Sequence, residues 1–276
     1  MKEQFIHTLT NSFMLWFDNF LLKKGDAYSN QTGQFYHTPD DFLQDSYVPF
    51  SSPYKQFVSD SSIAGATLPT GIAGNSHYID YDNGRIVETG SNYTSSSTIT
   101  GTFAVKDFNI YFTNETEDDL IVEKKFELNS RIPTYNDSGI DPYDQVVPAV
   151  FLSTATMQNN PLAFGGEEQT TVRANAVALS DDPYKLDGIL SIFGDSHNEV
   201  FYPIPMSGHP MDEYGDLKNG SYSYSTLSNE YSNNKPFLVD NVTTSKLTDK
   251  ARKSLANDLY VGFIDFDIKI HRFRFS

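Results

Sequence analysis

The run "LYVGFIDFDIKIHRFRF", residues 259–275, commits this chain to β-structure before anything else is considered. Tyr260, Ile264, Phe266, Ile268 and Ile270 fall on one face of a period-2 pattern, with Asp265, Asp267, Lys269 and His271 opposite. Phe273 and Phe275 then move to the polar face. At roughly 3.3 Å per residue the run reaches on the order of 55 Å, well past the usual strand. Either it bends, or its end pairs with a neighbouring molecule.

Strand patterns recur upstream. "HYIDYDNGRIVETG", residues 77–90, reads as a hairpin whose turn is Asp82, Asn83 and Gly84. In "STITGTFAVKDFNIYFT", residues 97–113, Ile99, Phe103 and Val105 keep one phase, and Phe108, Ile110 and Phe112 take the opposite one. That change predicts a bulge or bend near Lys106 and Asp107. "LIVEKKFEL" (120–128), "VVPAVFLS" (146–153), "TTVRANAVAL" (170–179) and "EVFYPIP" (199–205) continue the strands.

Two stretches have helical spacing instead. In residues 2–24, Phe5, Leu9, Phe13, Trp16 and Phe20 recur at helical intervals, and Lys23, Lys24 and Gly25 mark the end. Ile6, Met14, Leu15, Phe17 and Leu21 widen the apolar surface, which implies burial on more than one side. In "DDPYKLDGILSIFGD", residues 181–195, Asp182 caps a helix over 183–193 with Pro183 at its first position. Leu186, Ile189, Leu190 and Phe193 form its apolar stripe, so its aspartates read as capping and solvated groups.

Residues 26–75 are irregular, punctuated by Pro, Gly, Ser and Asn, yet Phe35, Tyr36, Phe42, Tyr47, Phe50, Tyr54 and Phe57 run through them. So many aromatics argue against a disordered linker and for an extended arm ordered by packing. The organisation expected is therefore an N-terminal helix (1–25), an aromatic arm (26–75) and a β-rich core (76–276). The fold class is α+β: a mainly antiparallel, sandwich-like sheet with one or two packed helices and extended arms.

Composition removes several function classes. A net charge of −16 argues against a nucleic-acid binder, which needs clustered Lys and Arg. With no cysteine there are no disulfides, thiolate chemistry or cysteine-held metals. Residues 5–22 carry too many polar groups for a membrane span and lack a basic start and a cleavage site, so no membrane partner is expected.

Catalytic and ligand motifs fail on spacing. "DYDNG", residues 80–84, begins like a calcium loop, but Gly84 comes one residue early and Ser91 stands where the glutamate belongs. Gly165–Gly166 is not followed by a phosphate-loop lysine, the six histidines lack metal-ligand spacing, and no nucleophile elbow is present. A glycosidase carboxylate pair leaves no local motif, and none is assigned. No catalytic, cofactor or metal residue is expected.

The stretches "PAVFLS", "NNPLAFGGEEQTTVRANAVALSDDPYKLDGILSIFGD" and "EVFYPI", covering residues 146–205 in pattern, resemble virion proteins at the head–tail junction of long-tailed bacteriophages. "YFTNETEDDLIVEKKFELNSRIPT" and the N-terminal helix fit more loosely. The resemblance implies a neck, tail-terminator or tail-completion subunit, in a ring that is commonly sixfold. Its partners would be its own copies and tail-tube, sheath or neck proteins, with DNA passing through unread. Candidate interface residues are Phe5, Trp16 and Phe20 on the helix, Phe42, Tyr47 and Phe50 on the arm, and Phe273 and Phe275 on the tail. The helix trio reads equally well as core. The alternative is a carbohydrate-binding or host-recognition module, for which "YGDLKNGSYSYSTLSNEYSNN", residues 214–234, offers tyrosines beside hydrogen-bonding groups.

Overall fold

The computed structural model describes residues 4–39, 47–54, 56–69, 77–88, 94, 97, 99–113, 120–121, 146–162, 166–212, 217–218, 220–248 and 259–273. Among them are three helices and eleven strands. The helices are α1 (Phe5–Gly25), α2 (Pro183–Gly194) and α3 (Tyr224–Glu230). The first six strands are β1 (Tyr28–His37), β2 (Val48–Ser51), β3 (His77–Asp80), β4 (Arg85–Glu88), β5 (Ile99–Lys106) and β6 (Asn109–Phe112). They are followed by β7 (Ala149–Pro161), β8 (Glu167–Ser180), β9 (Val200–Phe201), β10 (Phe237–Lys246) and β11 (Tyr260–Phe273). The class is α+β, as the sequence predicts.

The strands form two sheets. The first has five strands in the order β3-β4-β2-β1-β5, all antiparallel. The second has six, in the order β6-β7-β8-β11-β10-β9, where only the β6–β7 pair is parallel.

The segment expected to be an extended arm is part of the first sheet, which corrects that expectation. β1 pairs with β5 over eight positions, from Tyr28↔Lys106 to Phe35↔Ile99, and β2 lies between β1 and β4. Phe35, Phe50, Phe57 and Phe103 close the core of this sheet. β1 meets β5 64 to 78 residues away in sequence and β2 meets β4 34 to 40 residues away, so no local signal disclosed how these aromatics pack.

The phase change at Lys106 marks a passage between sheets. β5 ends there in the first sheet, and β6 begins at Asn109 in the second. Phe103 and Val105 therefore point into one core, and Phe108 and Ile110 into another.

The length of β11 is matched inside the chain. All 14 of its residues pair with β8, from Tyr260↔Ser180 to Phe273↔Glu167, so its end needs no neighbouring molecule. Ala174, Ala176 and Ala178 of β8 present small side chains beneath α1 and α2, while Ile264, Phe266, Ile268 and Ile270 of β11 fill the space beside them. Gly262 lies under α2, where a Cβ would meet Leu186 and Leu190 at 3.0–3.1 Å. On the opposite face Phe151, Val177, Leu179 and Val261 form a smaller core near one end. Further along, that face turns polar, with Arg173 3.4 Å from Asp267 and Lys269 2.6 Å from Asp240.

The wide apolar surface of α1 serves both sheets. Phe17 stacks on Phe193 of α2 with ring centroids 4.0 Å apart, Phe13 meets Phe266 edge-on at 5.2 Å, and Trp16 stacks on Phe201 at 5.4 Å. Leu22 turns the other way, into a cluster with Val58, Ile63 and Ala104 of the first sheet's side. Gly25 ends the helix for a packing reason: a Cβ there would come within 2.6 Å of Ile192 on α2. The left-handed residue is the next one, Asp26, at φ 45°. α2 starts as expected, the Asp182 carboxylate accepting from the Tyr184 amide at 2.9 Å.

Candidate interaction surface and the buried junction

Sequence alternation does not explain the outer half of β7. Up to Leu152 its outer edge is paired by β6. From Ser153 onward, among the described residues, β8 is its sole partner. Ala155 to Leu162 are all exposed, on both faces of the ribbon, including Met157 at 48% and Leu162 at 52%. Residues 153–162, "STATMQNNPL", contain no charge in a chain that carries −16. Exposed strand edges are usually guarded by charges, bulges or proline. Here a register shift at Thr154/Thr156 and Pro161 bound the stretch, and its middle is unguarded.

Phe273, on the last turn of pleat in β11, belongs to the same end of the sheet and is 47% exposed. Lys235 lies over its ring at 5.3 Å and pairs with Glu167 at 2.7 Å. That ammonium, by hydrogen bond and charge, holds the Glu167 carboxyl below its ordinary value. On the other face Arg272 lies 4.0 Å over the Phe5 ring and donates to Thr170 at 2.8 Å, fixing the strand end to the start of α1.

The expected interface residues divide accordingly. Trp16, Phe20 and Phe50 are buried within the chain, which corrects their assignment as contact residues: their surface is already covered. Phe5 is half-buried between Arg272 and Phe237. Tyr47 is half-buried with its ring 6.5 Å from that of Tyr78. Phe273 is exposed, and Phe42 and Phe275 lie outside the described residues, as does most of "LIVEKKFEL". Met157 and Leu162 went unnoticed. The signal available for them was the run without charge from 145 to 166, 22 residues long.

Where the two sheets meet, a polar cluster is buried. The Lys106 ammonium donates to Asp18 Oδ2 of α1 at 2.9 Å and lies 2.9 Å from Oδ1, which accepts no hydrogen bond from the described residues, the Asp18 and Lys106 side chains being 4% and 6% exposed. Asp60 is fully buried and accepts from the Asn19 amide at 2.7 Å, the Ser62 hydroxyl at 2.7 Å, the Ser62 amide at 2.9 Å and the Tyr224 amide at 3.1 Å. Tyr222 closes the cluster, its backbone bridging to Ser59 and Ser61. Among the described residues of this cluster, the two carboxyl groups face a single ammonium. Burial pushes the Asp18 carboxyl above its ordinary range despite Lys106, and Asp60 adds to the rise. Burial also pushes Tyr222 and Tyr224 up, with Asp18 and Asp60 contributing to the first and Asp60 to the second.

Beside Tyr222 opens a cleft of about 390 Å³, lined by Ser207, His209, Lys218, Ser221, Thr226 and Leu227 among others. Lys218 staples its two walls by donating to the Met206 and His209 carbonyls at 2.9 and 3.0 Å. The His209 ring is committed to the backbone. Its Nδ1 accepts from the Met211 amide, so Nε2 carries the proton and donates to the Asn11 carbonyl at 3.2 Å. Among the described residues no group of three His, Asp or Glu side chains is placed to hold a metal. No protein-family model matches this chain, and no curated protein matches its sequence.

Proposed function

We propose that this chain is a structural subunit of a bacteriophage virion, standing at the head–tail junction in a ring of identical copies that caps or joins the tail tube. Assembled in the host cytoplasm and carried in the virion, it performs no chemistry and needs no cofactor. The observation that carries this reading is the outer half of β7 in the second sheet, an exposed stretch without charge over residues 153–162 that displays Met157 and Leu162. Exposed apolar groups on an unguarded edge are a contact surface awaiting a partner. The resemblance of residues 146–205 to junction proteins, which includes this ribbon, supplies the kind of partner. A ring lumen with the acidic balance of this chain repels DNA phosphates and lets the duplex slide. The test is electron microscopy of the protein mixed with purified tail tubes. Rings seated on tube ends are the expected result; bare tubes would defeat the proposal.

A carbohydrate-binding reading has one observation in its favour. The cleft beside Lys218 lies in the tyrosine- and serine-rich stretch and falls in the size range of ligand sites. Saturable binding of a glycan by the isolated chain, abolished by Lys218→Ala, would select that reading instead.

A further inference from the structure

Among the described residues, the second sheet has an open stretch on each of its two sides. β9 pairs with β10 only at Phe237 and Leu238, with a last backbone contact at Val239. From Asp240 to Lys246, among the described residues, β10 has β11 as its sole strand partner. The charges at the two ends of this stretch are already matched inside the chain, Asp240 by Lys269 and Lys246 by Asp187. Between them, "NVTTS" at 241–245 is uncharged, like the open stretch of β7 at the far side of the same sheet. A net charge of −16 sets copies of this chain against each other, and at these two uncharged edges that repulsion is weakest.

The two edges are also complementary in sense. β7 and β11 run one way, and β8 and β10 the other, since each adjacent pair among these four strands is antiparallel. A second copy set beside the first, in the same orientation, brings its β7 against this β10 as an antiparallel pair. Ser153 lies level with Thr243 through Asn175 and Asp265, and Thr156 with Asn241 through Arg173 and Asp267, so the open stretches overlap there and then run past each other; an even displacement along the sheet brings more of them abreast and keeps the helix-bearing faces of both copies on one side. A repeated displacement of this kind tilts the strands against the ring axis, which closure of a sheet into a barrel requires.

We infer that copies of this chain associate head to tail, the open edge of β7 in one pairing with the open edge of β10 in the next. This rests on the ring reading and names the strands that form it. The contact is heterologous, so each copy uses both edges once and a closed ring leaves neither exposed.

Because the chain has no cysteine, each introduced thiol is unique. Thr156→Cys on β7 and Thr243→Cys on β10 place thiols on the same sheet face, both at exposed positions. Each purified variant is treated on its own with a short bis-maleimide, and a mixture of the two untreated variants is treated in parallel, all at a concentration where the particle mass exceeds one chain. The expected result is a covalent dimer, twice the 31.1 kDa chain mass, in the mixture alone, and a ladder of multimers from the double variant. Cross-linking of Thr156→Cys with itself would show twofold edge pairing and overturn the inference. Rings without the mixed product would overturn the edge pairing and leave the ring standing. A particle of single-chain mass at every concentration, with or without tail tubes, would overturn both.

Discussion

Replacing Lys106 by methionine isolates the buried junction. The Lys106 and Asp18 side chains are 6% and 4% exposed, so solvent screening offers little relief when one partner is lost. Methionine keeps most of the volume and removes the charge, leaving Asp18 buried beside Asp60 with no cation. Breaking one side of a buried pair costs about 3–5 kcal/mol. Asp18 can escape part of this by taking up a proton, so a loss of about 3 kcal/mol is expected at neutral pH. Adding Asp18→Asn to Lys106→Met removes the stranded charge and should recover about 2 kcal/mol, making the double variant more stable than the single one. Urea unfolding followed by the fluorescence of Trp16, the only tryptophan, gives these differences directly. Asp18→Asn also tests the sign of the pH dependence. A carboxyl whose folded value is raised stabilises the fold fully below its unfolded value, and that contribution disappears as pH rises through the folded value. The parent chain should therefore lose stability relative to Asp18→Asn as pH rises across the acidic range. A Lys106→Met loss below about 1 kcal/mol, or a double variant weaker than the single, would refute the buried-charge account.

Phe193→Ala, removing a fully buried ring stacked on Phe17, should cost about 3–5 kcal/mol in urea unfolding. Gly262→Val should cost at least about 1–3 kcal/mol, because its new atoms meet Leu186 and Leu190 where α2 lies on β11. Asp182→Ala removes the cap of α2 and should cost about 1 kcal/mol, read as a lower melting temperature. Met157→Lys, at an exposed position, should leave unfolding unchanged within about 0.5 kcal/mol while lowering the particle mass seen by light scattering.

Elements whose signals are local were legible from sequence. α2 was readable down to its cap, because Asp182, Pro183 and the Leu186–Phe193 stripe all lie within one helix. The 77–88 hairpin followed from its turn residues, and the opposite phases around Lys106 located a break. That the break is a transfer between sheets was not legible, since it depends on β1 meeting β5 and β7 meeting β6. In the first sheet the 77–88 hairpin and the strand at 99–105 were legible, but the places of β1 and β2 among them were not, because both lie in the irregular 26–75 stretch and pair at long range. The junction left no mark either. Asp18 and Asn19 look like ordinary polar positions on a helix, and their partners Lys106 and Asp60 lie 88 and 41 residues away. Trp16 and Phe20 seemed available for a partner because an apolar helix does not reveal which surface covers it. Here α2 and β9 cover it.

The central claim is that this chain works as a ring of copies, and its mass in solution tests that most directly. Multi-angle light scattering across a concentration series, with the Met157→Lys variant alongside, should give a fixed multiple of 31.1 kDa for the parent and a smaller particle for the variant. A mass of 31.1 kDa for both at every concentration, unchanged by tail tubes, would contradict the claim.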